Sequence, residues 1–232
     1  GAGAQNSSSV TSTINITATN DTPVATAGAT LAYSENGSAA AIDTSITLSD
    51  VDDSQIAGAT VTLSSGFTSG DTLGFSTQNG ISGSYNSSTG VLTLSGSATV
   101  AQYQSALRTV TYSSSSEDPT STSASRTVSW QVTDANSDGA GAQNSSAVTS
   151  TINLTASNDT PVATAGATLA YSENGSAAAI DNTIALSDAD DSQITGATVT
   201  LSSGLTSGDT LGFTTQNGIS GSYNSSTGVL TL

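Results

Sequence analysis

Apolar residues recur at every second position along this chain, in short runs separated by Gly, Ser and Asn. Val128, Trp130 and Val132 alternate with Thr127, Ser129, Gln131 and Thr133; Val148, Ile152, Leu154 and Ala156 alternate with Thr149, Thr151, Asn153 and Thr155. A period of two sends successive side chains to opposite faces, so both runs predict half-buried β-strands. Further strands are expected at 29–35, 45–49, 57–64 and 71–77, then a hairpin from Ile81 to Leu94 turned at Asn86–Gly90, and a strand at 108–113. One stretch breaks the rhythm. SATVAQYQSALR puts Val100, Tyr103 and Leu107 on one helical face behind a Ser97 or Thr99 cap, which predicts a short helix at about 99–107. Many short strands joined by Gly/Ser turns indicate an all-β fold, a Greek-key β-sandwich of immunoglobulin type with one short helix.

The pattern repeats. Residues 1–94 align without gaps with 139–232 and differ at ten of those 94 positions, so the unit is 138 residues long. That length suits one globular domain rather than a solenoid turn. The boundary is expected at TNDTPVA (Thr19–Ala25) and its copy SNDTPVA (Ser157–Ala163), where proline fixes its own φ and extends the residue before it. On that division residues 1–20 are the last strand of a preceding repeat, 21–158 a complete domain, and 159–232 the first half of the next. The opening GAGAQNSSSV has no charged or apolar leader character, so the chain reads as an excerpt of something longer. Residues 159–232 then lack their last strands, and a neighbouring copy of the chain is expected to complete them by strand addition.

Composition narrows the chemistry. There is no Cys, His, Met or Lys; Arg108 and Arg126 face eighteen acids, for a net charge of -16. Imidazole bases, thiolates, His/Cys zinc sites, Schiff bases and Lys–Asn isopeptide crosslinks are thereby excluded. The acidity argues against nucleic acid and anionic membranes, both of which reward Lys and Arg clusters. No apolar run is long enough to span a bilayer. Carboxylates, hydroxyls and amides remain, the hard oxygen ligands that Ca²⁺ prefers.

The acids are not scattered. In a seven-stranded immunoglobulin-like order, one end of the domain collects Asn20 and Asp21, the loop LSDVDDSQ with Asp50, Asp52 and Asp53, and the loop TDANSDGAG with Asp134, Asn136 and Asp138. The other end collects Glu35 of YSENG, Glu117 and Asp118 of SSSSEDPTS, and the outgoing Asn158 and Asp159. Glu173, Asp188, Asp190 and Asp191 repeat the pattern in the second copy. Only Asp43, Asp71, Asp181 and Asp209 fall elsewhere. Two carboxylates about 4 Å apart repel by roughly 4 kcal/mol at an effective dielectric of 20, which a shared divalent cation would reverse. Asp134, Asn136, Asp138 and Gly139 match the opening half of an EF-hand loop, but Ser145 stands where its bidentate Glu belongs.

The order Y-S-E-N-G, L-S-D-V-D-D, V-T-D-A-N-S-D-G and T-x-N-D-T-P resembles the cadherin-like tandem repeats of giant bacterial surface and adhesion proteins, many of them RTX-type. SGSYNSSTGVLTLSGSATVAQYQSALRTVTY is similar to those repeats as well, so the resemblance covers the whole unit. It implies calcium shared between domains, with ligand roles on Glu35, Glu117 or Asp118, Asn158, Asp159, Asp188 and Asp190. The lower loop lacks the family's clean D-x-E. The implied function is a non-catalytic extracellular stalk or filament, with neighbouring repeats of the same chain as its partners. Two other classes compete: a carbohydrate- or ice-binding module built on the Ser/Thr/Asn faces, and a glycosidase-like enzyme using an Asp pair. Irregular Thr spacing counts against ice binding, and near-identical tandem copies against an active site.

Overall fold

A computed structural model describes residues 1–136 and 139–232, and the expected Asp138 lies outside the described residues. The chain divides into two units, Gly1–Ala156 and Ser157–Leu232. In the first, residues 1–19 are exposed and carry no regular structure. Eleven strands and one helix follow: β1 (Val24–Thr26), β2 (Thr30–Ser34), β3 (Ala40–Ala41), β4 (Thr47–Ser49), β5 (Gln55–Ser65), β6 (Asp71–Gly74), β7 (Ser82–Asn86), β8 (Val91–Thr99), α1 (Val100–Leu107), β9 (Thr111–Ser114), β10 (Ser125–Asp134) and β11 (Val148–Thr155).

These strands form a β-sandwich. One sheet has six strands in the order β2-β11-β10-β5-β8-β7; β3-β9-β6 and the pair β1-β4 form the others. All pairings are antiparallel except β2 with β11, where Tyr33 stands opposite Leu154. The alternation expected for β10 holds along its whole length: Arg126, Val128, Trp130, Val132 and Asp134 are buried and the residues between them are not. Trp130 is completely buried, opposite Val61 of β5 and Val148 of β11. In β5 a bulge between Ile56 and Gly58 shifts the phase, so the inward set is Ile56, Ala59, Val61 and Leu63. Leu73 of β6 and Tyr112 of β9 face this set across the core, with Tyr33 packed edge-on against Tyr112 at 5.0 Å.

The helix is closed at its start by a capping box between Thr99 and Gln102. Eight residues are too few to be stable alone, so burial of Tyr103, Ala106 and Leu107 against the sheet holds it. The strand expected from 108 begins at Thr111. Arg108, Thr109 and Val110 instead complete the helix terminus, with their N–H groups bonded back to Gln104, Ala106 and Leu107. The strand expected to reach 77 stops at Gly74, and the two-residue β3 was not anticipated.

The second unit has β12 (Val162–Thr164) paired with β13 (Ala185–Ser187), and a sheet of β14 (Thr198–Thr200), β15 (Ser222–Asn224) and β16 (Val229–Thr231). Its sequence matches the first unit, but Tyr171 is 58% exposed where Tyr33 is 3%. The reason is local: β9, β10 and β11, which cover Tyr33 and its neighbours, have no counterpart among residues 157–232.

Candidate metal centre

Three segments meet at one end of the first unit. Asp134 is the last inward residue of β10 and is completely buried, so the alternation that builds the core also delivers a carboxylate to its rim. Its oxygens accept the Gln143 N–H at 3.0 Å and the Asn136 N–H at 3.2 Å. In the turn between β4 and β5, Asp50 Oδ1 accepts the N–H groups of Asp52 and Asp53 at 3.3 and 3.0 Å, an Asx-type closure that gathers the three acids. The third segment is the incoming chain. Asn20 Nδ2 donates to Asp134 Oδ2 at 2.8 Å and to the Gly141 carbonyl at 2.9 Å, while the Gln143 side chain donates to the Asn20 carbonyl. The Asp21 N–H donates to Asp52 Oδ2 at 2.9 Å.

The result is a cluster in which one carboxylate oxygen from each of Asp50, Asp53 and Asp134 lies within 4.8 Å of the others. Asn20, only 8% exposed, has its Oδ1 buried there with no hydrogen-bond partner among the described residues, and Asp50 Oδ2 is in the same condition. No base compensates this charge. Arg126 is paired with Asp71 at 2.6 Å and Arg108 donates to the Ile46 carbonyl at 2.9 Å. Burial, with Asp52 alongside, pushes the Asp50 carboxyl up, whereas the Asp21 N–H holds Asp52 down. Buried oxygen acceptors without donors fit a hard divalent cation.

Other expected ligands are placed differently. Asn136 has a left-handed backbone, and its side-chain oxygen accepts the Gly141 N–H, closing its own loop. Asp118 accepts from the Thr120 N–H and hydroxyl at 3.2 and 3.1 Å, so that oxygen shapes the turn. At the opposite end of the sandwich, Asn36 Nδ2 donates to Glu117 Oε2 at 3.2 Å, which sets Glu117 beside the turn carrying the buried Glu35. In the second unit carboxylate oxygens of Asp188, Asp190 and Asp191 lie within 4.8 Å of one another, and the Asp159 N–H donates to Asp190 at 3.2 Å, repeating the Asp21–Asp52 contact. Through the hydrogen bond they share, Asp188 is held down and Asp190 pushed up. Glu173 is exposed, and the Asn158 amide donates to the Asp159 carbonyl at 2.8 Å.

Sequence reasoning overlooked Gln143 and the Gly141 carbonyl, which seat Asn20. Nothing in an Ala/Gly/Gln stretch marks them. It also gave no role to Asp43 and Asp71, though Asp71 carried a signal as a charged residue opening an expected strand. Asp71 accepts from Arg126, the Tyr112 hydroxyl at 2.7 Å and Thr68. Asp43 accepts from the Gly28 and Ala29 N–H groups, from Ser45 and from the Ser150 hydroxyl, which in turn accepts the Trp130 indole N–H at 3.0 Å. Burial alone would raise the Asp43 pKa, but these donors hold it well below the usual carboxylate range.

Comparison with known proteins gives one curated relative of note. The chain is 38% identical over 109 residues to Halomucin of Haloquadratum walsbyi. The alignment takes in 44% of this chain and 1% of Halomucin, a protein many times longer. No family model and no solved structure matches.

Proposed function

We propose that this chain is a non-catalytic, extracellular structural repeat of a large surface protein, in which Ca²⁺ bound at the acidic ends of each β-sandwich stiffens the junctions of an extended stalk or filament. The observation that carries the reading is the cluster of Asp50, Asp53 and Asp134 with the buried, unpartnered Oδ1 of Asn20. Carboxylates at that separation repel by about 3–4 kcal/mol per pair at an effective dielectric of 20. A divalent cation with six to eight oxygen ligands turns that cost into attraction. Asn20 belongs to the segment entering the domain, so an ion held there would also fix the direction from which the chain arrives. Similarity to Halomucin over part of the chain supports a surface location and a structural role. The repeat of a whole domain with near-identical sequence supports a spacer, as does the absence of His, Cys and Lys chemistry.

Trp130 is the chain's only tryptophan and lies in the core of the first unit, so its fluorescence reports that unit alone. Extracellular calcium sites commonly have Kd of about 10⁻⁴–10⁻³ M. Millimolar calcium should therefore raise the Trp130 melting temperature relative to chelator. Superimposable melting curves in the two conditions would remove the proposal.

A further inference from the structure

The triplet Asn-x-Ser/Thr is the acceptor sequence for N-linked glycan. It occurs ten times here, but in a chain so rich in Ser and Thr the sequence does not choose among the copies. The fold does. Asn20 is buried with its amide committed to Asp134 and Gly141, and the Asn36 amide is committed to Glu117. Asn153 lies within β11, between β2 and β10. Asn144 is tied to the Thr133 hydroxyl and followed by the buried Ser145.

Asn86 differs. It ends β7 and opens the turn Asn86–Gly90, where Asn86, Ser87, Ser88 and Thr89 are all exposed. The Ser88 N–H donates to Asn86 Oδ1 at 2.9 Å, and the Gly90 N–H closes the turn on the Asn86 carbonyl at 2.9 Å. Gly90 adopts φ +69°, which an L-residue reaches only with strain. Donation to Oδ1 orients the amide and draws electron density from it, leaving Nδ2 directed to solvent without a protein partner among the described residues. The second unit repeats the geometry: the Ser226 N–H donates to Asn224 Oδ1 at 2.9 Å, and Gly228 has φ +68°.

We propose that Asn86 and its copy Asn224 are acceptor sites for an N-linked oligosaccharide supplied by a polyprenyl-diphosphate donor. Nδ2 forms a bond to the sugar C1 as the bond from C1 to the phosphate oxygen breaks. The amide proton goes to a base of the transferase, and polyprenyl diphosphate leaves with the bonding pair. The turn sits at the β7 edge of the six-stranded sheet and Glu35 follows β2 at the other edge, roughly 24 Å away at the usual strand spacing. A glycan there lies at the end of the strands away from Asp50, Asp53 and Asp134, so the inference does not depend on calcium at that cluster.

The test is to incubate the folded chain with a purified oligosaccharyltransferase and a polyprenyl-diphosphate-linked oligosaccharide, then map glycopeptides by mass spectrometry. Ser76 in one copy and Thr214 in the other tell the two turns apart. Glycan is expected on both Asn86 and Asn224. Ser88→Ala should abolish occupancy at Asn86 while sparing Asn224 and leaving the melting temperature unchanged, and Ser87→Ala should spare both. Modification confined to other triplets, persistence at Asn86 in the Ser88→Ala chain, or no modification at all overturns the proposal.

Discussion

Two sets of acids in this molecule live under opposite rules. Asp43 and Asp71 sit inside the sandwich, and each is surrounded by donors from its own domain: backbone N–H groups and hydroxyls for the first, a guanidinium, a phenol and Thr68 for the second. Asp50, Asp53 and Asp134 sit at the rim, crowded together, with Asn20 presenting one more oxygen and no positive group in reach. The interior acids are finished by the fold. At the rim, Asp50 Oδ2 and Asn20 Oδ1 are buried without a hydrogen-bond partner among the described residues. A buried charge is tolerated only when its partners are present, so the two sets should respond oppositely to changes in the solution and to mutation.

The largest expected effect is at the interior. Arg126 is completely buried, paired with Asp71 through Nε, and its terminal nitrogens donate to the Ser123 and Pro119 carbonyls at 2.8 and 2.9 Å. It therefore ties the acidic 115–124 loop to the core. Arg126→Ala leaves Asp71 buried without its cation and should cost about 3–5 kcal/mol in urea unfolding followed by Trp130 fluorescence, with or without calcium. A loss that calcium repairs would blur the distinction between the two sets.

Asp43 should set the acid limit. Its pKa is lowered on folding, so its stabilisation is complete above the unfolded carboxylate value near 4 and is lost as pH falls from there towards the folded value. Asp43→Asn should cost on the order of 2–3 kcal/mol at neutral pH, as expected for hydrogen bonds to a charged group. It should also flatten the acid limb of the stability curve. A mutant with an unchanged acid limb would assign acid unfolding to other groups.

The rim should show a change of sign. In chelator, Asp50→Asn removes one of three crowded carboxylates and should leave the first unit equally or slightly more stable. In calcium at ten to a hundred times Kd, the same substitution should forfeit about 1–3 kcal/mol of ligand-linked stabilisation. Equal effects in both solutions would reduce the rim to an ordinary polar turn. The smallest effect is at the helix cap, where Thr99→Ala should cost about 1 kcal/mol irrespective of calcium, measured by thermal melting.

Much of this architecture was legible before any coordinates. Period-two runs found β2, β5, β10 and β11; the polar turn found the β7–β8 hairpin, and a Ser97 or Thr99 cap marked the start of α1, where Thr99 is the cap. Boundaries were less legible. The helix terminus consumed Arg108 to Val110, and the bulge in β5 reset which residues face inward. For the candidate site, grouping acids by strand order placed Asn20, Asp21, Asp50, Asp52, Asp53 and Asp134 at one end, where they lie. Asn136 Oδ1 and one oxygen of Asp118 also accept hydrogen bonds from their own loops, which the sequence did not reveal, because local Asx closure cannot be told from ligation by residue type.

Sequence alone determined that the chain is a repeated all-β domain, that its chemistry is confined to oxygen ligands, and that its acids gather at loop ends. These follow from composition and periodicity, which are local properties. Only the tertiary structure decided which acids are each surrounded by donors and which are crowded against one another. Hydrogen-bond partners such as Ser150 for Asp43, Arg126 for Asp71 and Gln143 for Asn20 come from residues 55 to 123 positions away. A carboxylate's state depends on what surrounds it in space, and the sheet pairing of β10 with β5 and β11 is what brings those surroundings together.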